Sequence, residues 1–518
     1  MNRIDRRNFL RHTTMMTALG TSGAWLSNLA AVQKASAQST TTSDYRALVC
    51  IFLAGGNDGH NTVIPTDAVS WRCYSATRDP KVMAALNGIT APDSSISLAL
   101  DQASLLKINH LNAKSLNTGR TFGLHPQLKK IQALYAASQA AIVANVGPLI
   151  QPTTKADLID LSFELPRNLF SHNDQTSTWQ SFGPEGVTGG WGGLLMDKLA
   201  SRNVNKTFGS IGVGSNAVWL NGQQTMPYLL GKTGFQVMGG RTGQLYGSAA
   251  LYQAARKAAT TSSRTDILVA DYLRTANRAV DSESSLIQSM PDQQLTPWGT
   301  PALASGAVDP LLQYTDPTTG LTGVNPLAQQ LQTVARMIAA RNNSAIGAHR
   351  QVFMVTLPGF DTHSGQMPTH ASLLAKLDQA VDFFQKCLSQ MPGGDVRSQV
   401  TTFTASEFGR SLVSNGDGTD HGWGSHHFVF GGAVKGGDVY GKFPQFGAFD
   451  GDGNFFSDQL LDQGGCLLPG LSVDQLVYTL GKWMGASEAD LVGATPGTGL
   501  AKNIANFDAT LRDIGFMA

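Results

Sequence analysis

Ala47-Leu48-Val49-Cys50-Ile51-Phe52-Leu53-Ala54, halted by Gly55-Gly56, is the stretch from which the fold is read. An apolar run of this length without a polar break looks like a strand buried on both faces, and such strands belong to parallel sheets covered by helices. Similar runs recur at Ala140 to Val146, Gln351 to Leu357, Val400 to Ala405 and Phe428 to Phe430. Between them lie segments with helical spacing: Pro126 to Ala137, Ile267 to Met290, Leu327 to Arg341, Ala371 to Leu388 and Val473 to Met484, the last opened by Ser472 as N-cap. The alternation predicts an α/β fold with a mostly parallel sheet and helices on both faces. Gly183 to Thr300, rich in Gly, Ser and Thr, is read as an insertion or cap over the sheet. With the proline-containing linker Leu295 to Thr322 it makes an insertion of roughly 183–322.

In open α/β sheets ligands bind beyond the carboxyl ends of the strands, so the polar residues that follow each apolar run are the first candidates for a site. After the first run comes Asn57-Asp58-Gly59-His60, where Asp58 is either a metal ligand or part of a turn. After Leu357 come Asp361-Thr362-His363; residues two apart in an extended segment point the same way, so Asp361 and His363 can share one ion. Ser406-Glu407-Phe408-Gly409-Arg410 follows the Val400 run and adds a second acid and an arginine suited to clamping an anion or forming a salt bridge. Asp420-His421 and His426-His427 lie just before the Phe428 run. Five of the ten histidines after residue 37 fall between His363 and His427. Mixed carboxylate and imidazole donors suit Zn²⁺ or Mn²⁺ better than Ca²⁺, which prefers oxygen alone. In Phe170-Ser171-His172-Asn173-Asp174, Ser171 is placed to begin a helix, as an N-cap or as a nucleophile beside the helix's positive end. Asp450-Gly451-Asp452-Gly453-Asn454 imitates a calcium loop, but Phe455 and Leu461 stand where that loop needs Gly and Glu.

The amino terminus carries a different message. Arg6-Arg7-Asn8-Phe9-Leu10 is followed by an uncharged, mildly apolar stretch, Thr13 to Val32, and then by Ala35-Ser36-Ala37, a small-x-small site before Gln38. This is the pattern of a twin-arginine signal peptide over residues 1–37, with 38–518 as the exported chain and the twin-arginine machinery as a partner. The expected location is the periplasm or beyond, with no stable membrane span after cleavage, since no second long apolar run exists. A charged fraction of 14%, a net charge of +1 and the lack of any Lys/Arg block after the leader argue against a nucleic-acid partner. Cys50, Cys73, Cys387 and Cys466 are too widely spaced for a zinc ribbon. They allow one or two disulfides, with Cys50 read as a buried thiol.

The leader, VCIFLAGGNDGHNTVIP, GLHPQL, SHNDQ, DTHSGQ, SEFGR and DHGWGSHHFVFGGAVKGGDVYG together resemble the bacterial family called domain of unknown function 1501, across nearly all of the mature chain. That resemblance implies the alkaline phosphatase-like superfamily, with its phosphatases and sulfatases. The superfamily's order of residues is matched by Asp58, Ser171 as nucleophile, Asp361, His363 and a histidine among His421, His426 and His427. Glu407-Phe408 departs from the Asp-His pair that many members carry there. The expectation is an exported, metal-dependent hydrolase of phosphate or sulfate esters, acting on a small or polymeric anionic ester. The alternatives are a catalytically inactive binding or assembly protein on the same fold, and a polymer-gripping protein of the cell envelope.

Overall fold

A computed structural model describes residues 44–518, apart from 111–115, 159, 161–162, 235–243, 261–281, 284, 305, 447, 450–454 and 457–463. The leader, the calcium-like loop and most of the helix expected over Ile267 to Met290 lie outside the described residues.

The apolar run forms β1 (Arg46–Ala54), with every interior residue buried. Because successive side chains point to opposite faces, Ala47, Val49, Ile51 and Leu53 enter one hydrophobic cluster and Leu48, Cys50 and Phe52 another. Eight further strands complete the sheet: β2 (Ala140–Gly147), β3 (Ser210–Val213), β4 (Tyr228–Leu230), β5 (Arg350–Pro358), β6 (Val400–Ala405), β7 (Ser425–Phe430), β8 (Val439–Tyr440) and β9 (Leu471–Ser472). Their order is β8-β2-β7-β6-β1-β5-β3-β4, with β9 also paired to β2. β1 lies parallel between β5 and β6, in registers that set Ala54 opposite Pro358 and Phe52 opposite Ala405. The carboxyl ends of these three strands therefore meet at one rim.

Two expectations are corrected. The Phe428 run is not one of the parallel strands, because β7 is antiparallel to both β6 and β2. It also begins earlier, at Ser425. An apolar run carries no sign of its direction, and this reversal brings the amino-terminal end of β7 to the rim where its neighbours end. Nor does 183–322 simply cap the sheet: its β3 and β4 are parallel sheet strands, continuing outward from β5.

Seven helices matter here: α1 (Ala68–Arg78), α2 (Lys129–Ala136), α3 (His172–Ser181), α4 (Trp191–Leu199), α5 (Pro326–Ala339), α6 (Gln366–Ser389) and α7 (Val473–Met484). The cluster on one side of the sheet includes residues of α2, α5 and α6, and the cluster on the other side includes residues of α3, α4 and α7. Each fully buried aliphatic or aromatic side chain contributes roughly 1.5–3 kcal/mol. Trp179 of α3, Trp191 of α4 and Trp219 surround Phe403 of β6, which anchors α3 to the strand that ends at the rim. Among the described residues no helix is long and apolar enough to cross a membrane. No disulfide joins the four cysteines, all of which are buried.

Helix α7 starts where expected, with Ser472 and Gln475 forming a reciprocal capping box. Its first turn buries Asp474, which accepts from the Asn503 backbone N–H at 2.7 Å and faces its side-chain amide at 3.3 Å. Burial outweighs those bonds and pushes Asp474 up from 3.8 to about 7. The folded value is the higher one, so this carboxyl's contribution to stability is present at low pH and is lost as pH rises from about 4 through about 7. Thermal melts across that window should show the wild type losing stability relative to Asp474→Asn. Parallel curves would contradict this.

Candidate metal centre at the carboxyl rim

Three loops leave the rim side by side, and their close approach depends on glycine. Gly55 and Gly56, at φ +119° and +89°, hold conformations that other residues rarely adopt. A Cβ on Gly55 would also lie 2.3 Å from the Asp361 nitrogen, and one on Gly56 would lie 2.4 Å from the Phe408 ring. The Gly55 N–H donates to Glu407 Oε1 at 2.8 Å, which ties the β1 loop to the β6 loop. A two-stranded hairpin, Arg410–Ser414 with Thr419–His421, pairs Arg410 with His421 and delivers His421 to the same place.

The side chains gathered there are His172, Asp361, His363 and His421. His363 Nε2 and His421 Nε2 lie 2.9 Å apart, and Asp361 Oδ1 is 3.2 Å from each. His172 Nε2 approaches the other carboxylate oxygen of Asp361 at 3.5 Å. One donor atom each from His172, Asp361 and His421 can be chosen so that all lie within 4.8 Å of one another.

The far side of each ring is held by oxygen. His421 Nδ1 meets the Phe170 carbonyl at 2.7 Å, His172 Nδ1 meets Glu407 Oε1 at 3.0 Å, and His363 Nδ1 faces Asp420 Oδ1 at 3.3 Å. A neutral ring whose Nδ1 proton faces a carbonyl or carboxylate oxygen can turn its Nε2 lone pair on a metal. Three Nε2 atoms lie around the one carboxylate of Asp361. Phe170 sits at φ +71°, in the left-handed region that bulky residues seldom occupy.

Two pKa shifts favour this arrangement. Burial lowers the pKa of His421, and the charges of Arg410 and His172 push the same way, outweighing the Phe170 and Asp361 bonds. Partial burial alone would raise Asp361, but the hydrogen bond and charge of Arg410, with His363 and His172, carry it below its ordinary value. A neutral imidazole and an ionised carboxylate are the forms that bind metals. Tetrahedral coordination with bonds of about 2.0–2.1 Å spaces the donors about 3.3 Å apart, close to the separations around Asp361 Oδ1. His172, Asp361 and His421, with His363 Nε2 beside them at 2.9 Å from His421, are donors of the kind that suit Zn²⁺ or a similar transition metal.

The other expected residues fall elsewhere or take other parts. Glu407 is nearly buried and supports His172 from behind. Asp420 is mostly exposed and backs His363. Arg410 bonds Asp361 Oδ1 at 2.8 Å, Gly55 O at 3.3 Å and both oxygens of Thr419. Its side chain is fully buried, so it positions Asp361 and is not presented to a substrate anion. Asp58 does not reach the rim. It is buried in a two-pronged ion pair with Arg78, at 2.5 and 3.0 Å, and also accepts from Gln366. His426 and His427 lie inside β7, and alternation sends one to each covered face of the sheet. His426 stacks on Phe443 and accepts from the Asn145 N–H, while His427 meets the edge of Trp179. Ser171 does occupy the N-cap position of α3, but its hydroxyl donates to Asp174 Oδ2 at 2.8 Å.

His172 was absent from the ligands expected from sequence. Its segment drew attention for the neighbouring hydroxyl, and nothing local signals that the imidazole finds Glu407 across 235 positions.

An α/β protein with a His–Asp–His cluster at the carboxyl rim of its sheet is what this fold and site define. The chain belongs to the family described as "Protein of unknown function (DUF1501)", which it matches over residues 45–494. No curated protein matches it. Among solved structures it is similar to Ps i-CgsB, at 9% identity and a TM-score of 0.32, covering 90% of this chain and 77% of that one. The complex of Ps i-CgsB with k-i-k-neocarrahexaose gives 9% and 0.29, covering 86% and 72%.

Proposed function

We propose that His172, Asp361, His363 and His421 hold one divalent transition metal, Zn²⁺ or Mn²⁺, and that the chain is an exported hydrolase of phosphate or sulfate esters on an alkaline phosphatase-like fold. The observation that carries this reading is the set of three Nε2 atoms gathered around Asp361, each on a ring whose Nδ1 faces an oxygen, with the Asp361 carboxyl held below its ordinary value. Backing of this kind fixes ring orientation and raises ligand basicity in metal sites. The donors are also partly open to solvent, with side-chain exposures from 21% for His421 to 46% for His363, as a site that admits substrate requires. Such a metal, when bound, supplies a more acidic water and neutralises charge on the transferring group. Ser171 or that water is the nucleophile in this reading, with Ser171 beside the first residue of α3, whose N–H groups favour an anion. The twin-arginine leader supplies the route out of the cytoplasm and suits a protein that folds around a metal before export.

A catalytically inactive binding or assembly protein is the second reading. It is favoured by Glu407, whose Oε1 is committed to Gly55 and His172, leaving a single-metal cluster among the described residues. The test is hydrolysis of 4-nitrophenyl phosphate and sulfate by the purified chain, stripped by chelator and then given Zn²⁺ or Mn²⁺. Metal-dependent turnover that disappears in His421→Ala is expected. Full metal occupancy without turnover on any ester would transfer the case to the binding protein.

A further inference from the structure

A cavity of about 440 Å³ opens at the same carboxyl rim, lined by Ala54, by Thr356 and by Glu407, which also backs His172. That volume falls in the range of about 300–1,000 Å³ typical of small-molecule sites. One wall is a stripe of α3: Asn173, Thr176, Ser177 and Gln180 follow the i, i+3, i+4, i+7 spacing of a single helix face, and the helix's first residue is His172. Ser215, Asn216 and Thr356 line the cavity as well, in loops and strand ends near β3 and β5. Phe52, Val218 and Met354 supply apolar surface.

The charges decide what fits. The lining holds two carboxylates, Glu185 and Glu407, and no Lys, Arg or His. A second anionic group would be repelled there, whereas amides and hydroxyls next to apolar carbon suit a neutral molecule with many hydroxyls. We infer that this cavity takes the alcohol part of the ester, a sugar or other polyol, while the anionic head rests on the His172–Asp361–His421 cluster. The inference rests on the hydrolase reading. Water's oxygen joins the phosphorus or sulfur, the ester bond from that atom to the alcohol oxygen breaks, and the polyol leaves from this cavity carrying one proton.

The test is direct binding, measured by saturation-transfer NMR on the full mature chain with neutral methyl glycosides and glycerol as probes. Thr176→Trp fills the cavity from α3, and Asn216→Trp fills it from an exposed position that tolerates replacement. Both should weaken glycoside binding by roughly tenfold or more, which is about 1.4 kcal/mol, while metal content stays at the wild-type level. If no probe binds the wild type, or if neither tryptophan alters binding, the cavity assignment is overturned whatever the ester screen gives. Glycoside binding without hydrolysis of any ester would instead defeat the hydrolase reading and leave a polyol-binding site.

Discussion

Replacing Asp58 with Ala should lower the stability of the fold by roughly 3–5 kcal/mol, the usual cost of breaking a buried ion pair from one side. Neither partner is exposed, so the Arg78 charge would be left in the interior without its carboxylate. The guanidinium also donates to the Leu412 and Ser411 carbonyls, which hold it in place and prevent it from swinging out to water. Asp58 accepts the His60 N–H and the Gln366 amide besides, so two more donors would lose their acceptor. Burial tends to raise this carboxyl, but the charge and hydrogen bonds of Arg78 win and hold it down at about 2. The folded value is the lower one, so the stabilisation is complete above the ordinary carboxylate range and is lost as pH falls through about 2. Chemical denaturation at neutral pH checks the size of the effect. The double change Asp58→Leu with Arg78→Met should recover only the part due to the stranded charge, since the His60 N–H, the Gln366 amide and the Leu412 and Ser411 carbonyls still lose their partners. A single variant within about 1 kcal/mol of wild type would show that the pair is not the anchor described, because surface changes rarely exceed about 0.5 kcal/mol.

Metal binding should fail in His172→Ala and in His421→Ala, and should weaken by roughly 10–100-fold in Glu407→Gln. The first two remove a donor. The third keeps the shape of the side chain but replaces the carboxylate that faces His172 Nδ1 with a weaker acceptor. Titration of chelator-treated protein with Zn²⁺, followed by elemental analysis, separates these cases. Wild-type stoichiometry near one, loss in both histidine variants and an intermediate affinity for Glu407→Gln are expected together. If Glu407→Gln binds as tightly as wild type, the backing of the rings does not contribute. If His172→Ala retains full affinity, the centre consists of Asp361, His363 and His421 alone.

Much of this site was legible because a strand buried on both faces announces itself. The unbroken run in β1 and those in β5 and β6 marked where the rim would be, and Asp361, His363 and Glu407 follow them directly. What stayed hidden depended on direction or on distance. His426 and His427 looked like donors because they precede an apolar run, yet the strand already includes them and the sheet covers both faces. His421 lies in the cluster with Asp361, but it arrives through a hairpin and a reversed strand that apolar spacing does not reveal. Asp58 offered the residue type and the position of a ligand. Only Arg78, 20 positions away on a helix with few apolar cues, claims it for the interior.

The contacts that build the candidate metal centre are remote in sequence: His172 meets Glu407 across 235 positions, and the Phe170 carbonyl meets His421 across 251. Contacts of that span lie beyond any short fragment of the chain, and pairings so remote in sequence form slowly. Metal capture would therefore come late, after the sheet from β1 to β7 has closed. On the metal-centre proposal, a newly made chain would advertise its own completion by the ion it carries, and whichever compartment hosts that final closure would choose the metal.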